Sequence, residues 1–344
     1  MNDCVKVSII MPVYGVEKYI RKCLDSVVTQ TLKEIEIICV NDCTLDNSFE
    51  IVKEYASKDP RFVLIEHETN QGQGIARNNA IAVARGECIG FVDPDDWIEP
   101  DMYQTMYDAL KEHDADMVET KYFVNYESSG EVKRLKSDFR FPHNKIFNCH
   151  SISKKYPFKG ALGATNKLIK SDFIRQNNIL FGDGTFQEDM IFSVKCRLLA
   201  DKIYFCNRNL YHCLARKNSS TDNGIAPEKA LTIVKMLENI HSVLIANDAL
   251  KFLHDIFIKC AIERITGIGR FLPDDHKRSF EDYALQFIPE KYHSYYISRK
   301  NSHYRNFGEK LFSVKNLILP MGKFKILTIL GIRIPLKKIV RGQR

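Results

Sequence analysis

Short apolar runs rich in Val and Ile alternate with stretches of helical spacing through the first 125 residues, and this alternation constrains the fold more than any other feature. The apolar runs have the length of strands and are apolar on both faces, which is typical of strands inside a parallel sheet. Strands that alternate with helices favour an α/β fold with right-handed crossover connections. The predicted strands are Val5–Met11, Glu36–Val40, Phe62–Ile65, Cys88–Val92 and Met117–Phe123, and the predicted helices are Glu17–Gln30, Asp46–Ala56, Gly72–Ala84 and Pro100–Lys111.

The remainder of the chain loses this alternation. Residues 125–160 are polar, and helical spacing returns at Asn166–Ile174 and Glu188–Ala200. The spacing also predicts helix from Ala226 to Leu272. One apolar stripe in that segment is expected to lie in a core. It consists of Leu231, Val234, Leu237, Ile240, Val243 and Leu244.

The basic charge is concentrated near one end of the sequence. The 344 residues carry a net charge of +7, and residues 320–344 hold seven basic side chains and no acidic one. The preceding residues are therefore neutral, which argues against a nucleic-acid-binding surface. No apolar run reaches the ~20 residues that cross a bilayer, and the first residues lack the pattern of a secretory signal. With ten dispersed cysteines and no Cys-x-x-Cys pair, the sequence predicts reduced thiols in a cytoplasmic protein.

Polar or turn-forming residues follow each of the first four predicted strands. The carboxyl ends of parallel strands lie at one edge of a sheet, where α/β proteins bind their ligands. Four such loops at one edge therefore predict a ligand cleft. The residues concerned are Pro12, Val13, Tyr14 and Glu17, then Asn41 and Asp42, then Asn70, Gly72, Gly74 and Arg77, and last Asp93, Asp95 and Asp96.

Three carboxylates lie within four residues in Asp93-Pro94-Asp95-Asp96, directly after a buried strand. Like charges this close repel unless a cation neutralises them. Carboxylate oxygens suit Mg²⁺ or Mn²⁺, and Mg²⁺ takes one or two of them and completes its shell with water and substrate phosphate. The segment therefore predicts a metal–diphosphate site. The alternative is a turn in which Asp96 or a neighbour caps the next helix.

Gly72-Gln73-Gly74 follows a predicted strand and opens a helix, as a dinucleotide-binding motif does. The third glycine of that motif would be residue 77, which is Arg77, and the motif follows the third strand rather than the first. The sequence therefore disfavours a nicotinamide or flavin fold, and it contains no Walker-type phosphate loop. Arg77 is expected either to face a phosphate from the helix N-terminus or to lie on the surface.

Residues 5–125 closely resemble the nucleotide-binding half of the family 2 glycosyltransferases, which have the GT-A fold. The matching segments read VSIIMPVYGVEKYIRKCLDSVVTQT, IEIICVNDCTLDNS and NQGQGIARNNAIAVARGECIGFVDPDDW. The chain departs from the family at Gly15, where Asn is usual, and at Asp42-Cys43-Thr44-Leu45, where the family reads Asp-Gly-Ser-Thr.

The resemblance implies a mostly parallel central sheet followed by a mainly helical C-terminal region. The expected division is a GT-A catalytic domain over 1–225, with a nucleotide-binding half (1–125) and an acceptor-side half (126–225), then a helical region (226–319) and a basic apolar tail (320–344).

The resemblance also implies that a nucleotide-diphosphate sugar, commonly of uridine, binds in the cleft. Asp42 matches the position that contacts the base. Asp95 is expected to bind the metal, and Asp93 to contact the ribose or the metal through water. The other residues expected along the nucleotide are Pro12, Val13, Tyr14, Glu17, Asn70 and Arg77, while Trp97 and Glu188 are expected on the acceptor side.

Three short signatures in the second half are also similar to the family. They are Asn166-Lys167-Leu168, Gln187-Glu188-Asp189 and the stretch from Tyr211-His212 to Arg216-Lys217-Asn218-Ser219. The Asp of the Glu-Asp pair is the catalytic base in relatives, which implies this role for Asp189; the alternative is a carboxylate that only offsets its helix dipole. His212 is predicted either as a further metal ligand or as a packed imidazole.

These roles imply an inverting, metal-dependent glycosyltransferase that uses Mn²⁺ or Mg²⁺. Its acceptor would be a glycan or lipid-linked glycan in cell-surface polysaccharide or lipooligosaccharide synthesis. Two alternatives stay open. A sugar nucleotidyltransferase usually has a Gly-rich loop with Arg or Lys after the first strand, where this chain has Pro12-Val13-Tyr14-Gly15. A non-catalytic scaffold would be expected to have lost its aspartates.

The tail combines its basic charge with apolar residues. Such a composition suits an anionic membrane surface, where each cation contributes ~1 kcal/mol, and it would place the protein at the inner face of the cell membrane. The alternative is a β-hairpin, because Lys323–Ile326 and Ile332–Pro335 alternate in polarity and Gly331 can form the turn.

Overall fold

A computed structural model of the chain describes residues 4–134, 144–151, 156–158, 162–182, 188–216, 227–246, 252–269, 272, 274–300, 312–319, 322–329 and 332–339. Strands and helices alternate from the N-terminus, as the sequence predicts. The first elements are β1 (Val7–Val13), α1 (Ile20–Val28), β2 (Ile35–Asn41), α2 (Ser48–Ala56), β3 (Phe62–Glu66), α3 (Gln73–Val83), β4 (Cys88–Phe91), β5 (Trp97–Ile98), α4 (Met102–Glu112) and β6 (Met117–Tyr126).

The later elements are less regular. They are β7 (Val132–Arg134), β8 (Ile146–Phe147), a 3₁₀ turn (Tyr156–Phe158), β9 (Lys167–Lys170), α5 (Ser171–Gln176), α6 (Glu188–Leu199), β10 (Ile203–Ala215), α7 (Pro227–Ala246), α8 (His254–Gly269), α9 (Asp274–Phe287), a second 3₁₀ turn (Glu290–Tyr292), β11 (Phe312–Leu319), β12 (Gly322–Ile329) and β13 (Ile332–Ile339).

One sheet of ten strands organises the first two thirds of the molecule. Its order is β3-β2-β1-β4-β9-β6-β10-β5, with β7 beside β6 and β8 beside β10. The strands β1 to β4 pair in parallel, as do β6 and β10, whereas β9 is antiparallel to both of its neighbours. The predicted α/β class with a mostly parallel sheet is confirmed. The loops that follow β1 to β4 meet at one edge of this sheet.

Both faces of the sheet are covered by helices. All seven residues of β1 are buried. Successive side chains on a strand point to opposite faces, so Ile9 packs in a cluster with residues of α1 and α4, while Ile10 packs with residues of α3 and α6. A sheet covered on both faces explains why the strands read as continuous apolar runs.

The prediction of helical structure over Asn166–Ile174 is wrong in its first half. Lys167–Lys170 form β9, and helix α5 begins only at Ser171. Leu168 and Ile169 are fully buried between β4 and β6, so pairing within the sheet outweighs the local spacing.

Helices α7 to α9 form a second apolar cluster, which confirms a mainly helical region after the sheet. Four residues of the predicted stripe, Val234, Leu237, Ile240 and Leu244, are buried, but Leu231 is 40% exposed. Strands β11 to β13 form an antiparallel sheet, in agreement with the hairpin alternative for the tail. The predicted helical range 226–319 is wrong at its end, because Phe312–Leu319 form the strand β11. Among the described residues, no helix combines the length and apolarity that a membrane span needs.

Candidate active site

Three side chains predicted from the sequence come into direct contact at the carboxyl edge of the sheet. Arg77 belongs to α3, Asp93 to the loop after β4, and Asp189 to the first turn of α6. Arg77 donates through Nη2 to Asp93 Oδ1 at 2.7 Å and through Nη1 to Asp189 Oδ1 at 2.6 Å. One guanidinium therefore joins the predicted metal loop to the predicted base.

Arg77 is fully buried, so the surface alternative for this residue is wrong. Its Nη1 also lies 3.3 Å from Glu188 Oε1, and its Nη2 donates to Gln73 Oε1 at 2.9 Å. Burial opposes the charge, but the three neighbouring carboxylates outweigh burial and raise the pKa of Arg77 above its usual value. Arg77 is thus a permanent cation at the centre of an acidic site.

The close approach of α3 and α6 depends on Gly74. A Cβ atom at this position would lie 2.9 Å from the carbonyl oxygen of Gly182 and 3.0 Å from Cγ of Glu188. The glycine of the dinucleotide-like motif therefore serves helix packing, because only glycine lets the elements that carry Arg77 and Asp189 come this close.

Asp189 can exchange a proton near neutral pH. Burial raises its pKa to about 7, Glu188 and Asp93 contribute in the same direction, and Arg77 and Lys167 oppose the shift. Its side chain remains 28% exposed, so a substrate hydroxyl group can reach it. A carboxylate with these properties can act as a general base, and its place at the helix start also favours its negative charge.

Asp93 and Asp95 lie at the surface of the cleft, each held by an arginine. Asp95 Oδ2 accepts a hydrogen bond of 2.9 Å from Arg216 Nε. Their side chains are 29% and 21% exposed. Burial and the charge of Asp93 raise the pKa of Asp95, while Arg216 opposes this shift.

Asp96 lies in the interior, which contradicts its interpretation as a helix cap. It accepts hydrogen bonds of 2.7 Å from the Tyr211 hydroxyl and from the Leu214 backbone. Burial, with the charges of Asp93 and Asp95, raises the pKa of Asp96 well above its usual value. Tyr211 also accepts a 3.1 Å hydrogen bond from the Asp93 backbone, so it fixes the loop at two points.

Sequence reasoning did not place Tyr211 or Arg216 in the site. Both belong to the Tyr-x-x-x-x-Arg stretch, which carried the signal without a role for either residue. Their partners Asp96 and Asp95 are 115 and 121 residues away in sequence, and no local pattern gives such a pairing.

The donor set fits a divalent cation held by two carboxylates. Arg77 and Arg216 engage one oxygen each of Asp93 and Asp95, which leaves each carboxylate a second oxygen. Burial and the neighbouring charge of Asp93 both raise the pKa of Asp95, and a bound cation would offset both. The described part of the chain holds no group of three or more His, Cys, Asp or Glu side chains arranged for a metal. Water and substrate would complete the shell.

His212 packs against aromatic side chains and forms a hydrogen bond with a glutamate. Its Nε2 lies 2.8 Å from Glu99 Oε1, and its ring is stacked between Trp97 and Phe123 at centroid distances of 5.0 and 4.6 Å. Lys22 Nζ lies over the Trp97 ring, 2.9 Å from its centroid. These contacts favour the packed imidazole. Metal ligation by His212 and an acceptor contact of Trp97 stay predictions.

Polar side chains join the loops after β1 and β2. The carboxylate of Glu17 accepts from the backbone and side-chain nitrogens of Asn47 at 3.2 and 2.9 Å. Of the four residues predicted along the nucleoside, Pro12 and Val13 are buried, whereas Tyr14 and Glu17 are exposed. The structure thus leaves two side chains of this loop open to a ligand.

Asp42 holds the loop that connects β3 to α3. Its carboxylate accepts from His67 Nδ1 at 2.9 Å and from the backbone nitrogens of Gln71 and Gly72, both at 2.8 Å. The carboxylate is buried, and Asn70 lies exposed on the loop that it holds. A nucleotide contact of either residue stays a prediction, but Asp42 has a structural role that the sequence did not indicate.

The matching family model and two similar relatives are all glycosyltransferases. The model described as Glycosyl transferase family 2 matches residues 8–171. The glycosyltransferase GlyG of Streptococcus pneumoniae serotype 4 (strain ATCC BAA-334 / TIGR4) is 34% identical over 220 residues, which are 62% of this chain and 72% of GlyG. The glycosyltransferase GlyA of the same organism is 37% identical over 221 residues, which are 62% of this chain but 31% of GlyA.

Among solved structures, S. aureus TarS 1-349 in complex with UDP-GlcNAc is similar in fold. It superposes with a TM-score of 0.71 at 20% identity, over 97% of this chain and 100% of that one. The likeness confirms the predicted GT-A fold. The chain spans less than a third of the length of GlyA.

Proposed function

Since the chain belongs to glycosyl transferase family 2, we propose that it transfers a sugar from a nucleotide-diphosphate donor to a hydroxyl group of a glycan. The observation that carries the proposal is the contact of Arg77 with both Asp93 and Asp189. It brings a carboxylate that titrates near neutral pH beside carboxylates suited to a divalent cation. Glycosyl transfer needs both, a proton acceptor and a means to neutralise the leaving diphosphate.

The proposed donor is a UDP-sugar. Tyr14 and Glu17 are exposed at the end of β1 and would lie along the nucleoside, with Pro12 and Val13 forming the floor. Asp42, on the neighbouring loop, would contact the base. The complex of TarS with UDP-GlcNAc supports uridine as the nucleoside.

Asp95 and Asp93 would hold Mn²⁺ or Mg²⁺, with His212 as a further predicted ligand. When bound, the cation would neutralise negative charge on the diphosphate group. Arg77 and Arg216 already neutralise part of the charge of the two aspartates. The arginines therefore hold one oxygen of each carboxylate in place beside the proposed cation site.

Asp189 would accept the proton of the acceptor hydroxyl while that oxygen attacks the anomeric carbon. The bond from this carbon to the diphosphate oxygen breaks, and its electron pair leaves with the nucleoside diphosphate. Attack opposite the leaving group inverts the anomeric configuration. Arg77 binds Oδ1 of Asp189, which leaves Oδ2 for the proton. Glu188 lies 3.3 Å from Arg77 Nη1 and would face the acceptor.

The proposed acceptor is a cell-surface glycan or its lipid-linked precursor. Residues 320–344 hold seven basic residues and no acidic one, which would favour contact with anionic lipid. We propose residue 225 as the boundary between the catalytic and helical regions, and we assign β11 to the tail because it pairs with β12. Sedimentation with anionic liposomes, before and after removal of 320–344, tests the contact; equal binding by both proteins would contradict it.

The experiment that tests the function is a metal-dependent turnover assay on a panel of nucleotide sugars. A glycosyltransferase releases nucleoside diphosphate and stops doing so when chelator removes the metal. Release of pyrophosphate from a sugar phosphate and a nucleoside triphosphate would instead identify a nucleotidyltransferase. Absence of both activities and of nucleotide binding would support a scaffold. NMR of the product gives the anomeric configuration, and retention would contradict the proposed mechanism.

A further inference from the structure

The two arginines of the active site differ in the hydrogen-bond donors that they have left for a ligand. Both terminal nitrogens of Arg77, Nη1 and Nη2, are engaged by side chains of α3, α6 and the loop after β4. Arg216 uses only Nε, which donates to Asp95 Oδ2 at 2.9 Å. No residue that the structure describes accepts a hydrogen bond from Nη1 or Nη2 of Arg216. Both of its terminal NH₂ groups are therefore open to a ligand.

Strand pairing fixes the place of Arg216 in the cleft. Strand β10 pairs with β6 up to Ala215, which lies opposite Tyr126. The backbone nitrogen of Glu127 donates to the Ala215 carbonyl oxygen at 3.0 Å and extends this pairing. Arg216 follows directly, and its side chain is 18% exposed beside that of Asp95, which is 21% exposed. The guanidinium group is thus held at the surface of the cleft, where a ligand can reach it.

The ring of Tyr19 supports the guanidinium group of Arg216. The Arg216 Cζ atom lies 4.9 Å from the Tyr19 ring centroid, within the distance of a cation–π contact. The Tyr19 hydroxyl donates to Glu127 Oε1 at 3.1 Å, and Lys18 Nζ donates to the same oxygen at 2.6 Å. Glu127 therefore fixes the ring beside the guanidinium group and also holds the backbone that precedes Arg216.

A planar cation with two terminal NH₂ groups suits a phosphate group. A guanidinium group can donate two parallel hydrogen bonds to phosphate oxygens, and these bonds are strong because both partners are charged. Arg216 contacts Tyr19, which follows the proposed nucleoside residues Tyr14 and Glu17, and it also contacts Asp95 of the proposed metal site. The diphosphate of a nucleotide lies between its nucleoside and the metal, so it is the phosphate that these two contacts favour.

We propose that Arg216 binds the diphosphate group of the nucleotide through Nη1 and Nη2, and that the Tyr19 ring positions it for this contact. Asp93 and Asp95 lie at the same surface and would repel a diphosphate, and the positive charge of Arg216 offsets part of that repulsion. The inference rests on the proposed function in taking a nucleotide-diphosphate sugar as the donor. It adds a ligand for the diphosphate that belongs to the protein itself.

The test measures the binding of UDP and of uridine by ligand-detected NMR, with excess Mg²⁺ and again with a chelator. Arg216→Met removes the terminal donors, so the Kd of UDP should rise about tenfold or more in both conditions while the Kd of uridine stays unchanged. Arg208→Met is the matched control, because Arg208 lies on the same strand and its Nη1 donates to Asp101 at 2.7 Å. It should change neither Kd.

Variants of Tyr19 test the positioning role. Tyr19→Phe keeps the ring, whereas Tyr19→Leu removes it. A cation–π contact at a partly exposed site is weak, so Tyr19→Leu should raise the Kd of UDP about two- to fivefold and Tyr19→Phe should leave it nearly unchanged. Because Tyr19 acts through Arg216, the double variant of Tyr19→Leu with Arg216→Met should bind UDP as Arg216→Met alone does.

Unchanged UDP binding by Arg216→Met overturns the proposal. An equal loss of UDP and uridine binding does so too, because the arginine would then only maintain the shape of the nucleoside site. Should Arg216→Met not fold, Arg216→Lys keeps the charge without the planar fork and should weaken UDP binding by a smaller factor, again with uridine unchanged.

Binding is measured without turnover, so this inference and the proposed function can fail separately. UDP binding that depends on Arg216 in a protein without transferase activity refutes the function and leaves the role of Arg216 intact. Transferase activity together with UDP binding that is independent of Arg216 does the reverse. If the unchanged protein binds no UDP in either condition, both the inference and the proposed donor are wrong.

Discussion

The two halves of the catalytic region hold their functional residues in different ways. In the nucleotide-binding half, Glu17 and Asp42 accept hydrogen bonds from backbone nitrogens, from the amide of Asn47 and from the imidazole of His67. At the boundary with the acceptor-side half, the contacts are between charged groups. Arg77 and Asp189 are 112 residues apart in sequence, and Arg216 and Asp95 are 121 apart. Pairs of oppositely charged side chains therefore join the two halves across the site.

The substitution Asp189→Asn tests this dependence most directly. The amide keeps the shape of the side chain but cannot accept the acceptor proton, so kcat should fall by about 10²- to 10⁴-fold while the donor KM changes little. Glu188→Gln is the matched control, because Glu188 also contacts Arg77 but at 3.3 Å and without the proposed proton transfer. Steady-state kinetics on both variants decides: an Asp189→Asn enzyme that keeps the kcat of the unchanged protein would remove Asp189 from the mechanism.

The substitution Arg77→Met should lower the stability of the protein, because Arg77 contacts carboxylates of both halves. The substitution leaves Asp93, Glu188 and Asp189 close to one another without the cation that joins them. Because these carboxylates are partly exposed, we expect a loss of about 2–3 kcal/mol in the free energy of unfolding, below the range for a fully buried pair. Urea denaturation measures it. Arg21→Met, which removes an arginine from an ion pair with Glu54 whose two side chains are 54% and 44% exposed, is the control, and an equal loss in both variants would contradict a central role of Arg77.

The pH dependence of kcat should follow the ionisation of Asp189. Burial raises the pKa of Asp189 to about 7, and the proton acceptor must be ionised. The ionised fraction falls as the pH drops through this value, so kcat should decrease by up to about tenfold per pH unit on the acid side. A profile with saturating donor from pH 5 to 9 measures this. A flat profile down to pH 5 would mean that Asp189 is not the base or that chemistry does not limit turnover, and single-turnover kinetics separates these two.

The sequence was sufficient for the fold of the first half and for the residues at its sheet edge. There the signal is local, because a strand, the loop after it and a helix occupy about thirty residues. It was not sufficient where partners are distant. Tyr211 is recognisable in the site only once β10 lies beside β5 and β6. The conversion of Lys167–Lys170 from helical spacing to a strand has the same cause, since pairing with β4 and β6 is invisible in the segment itself.

The smallest predicted effect lies wholly in the first half, at the position where the chain departs from the family pattern. Cys43 adopts a φ of 58°, the left-handed region, which costs a residue with a Cβ roughly 1–2 kcal/mol relative to glycine. Glycine loses more backbone entropy on folding, so Cys43→Gly should raise the free energy of unfolding by only about 0.5–1 kcal/mol. Gly15, at a φ of 66° with no atom close to a Cβ, provides the reverse experiment, and Gly15→Ala should lower stability by a similar amount. Chemical denaturation of both variants tests the pair. If Cys43→Gly destabilises the protein, the thiol makes a contact worth more than the strain. The nucleotide-binding half would then also depend on a residue that its family pattern does not contain.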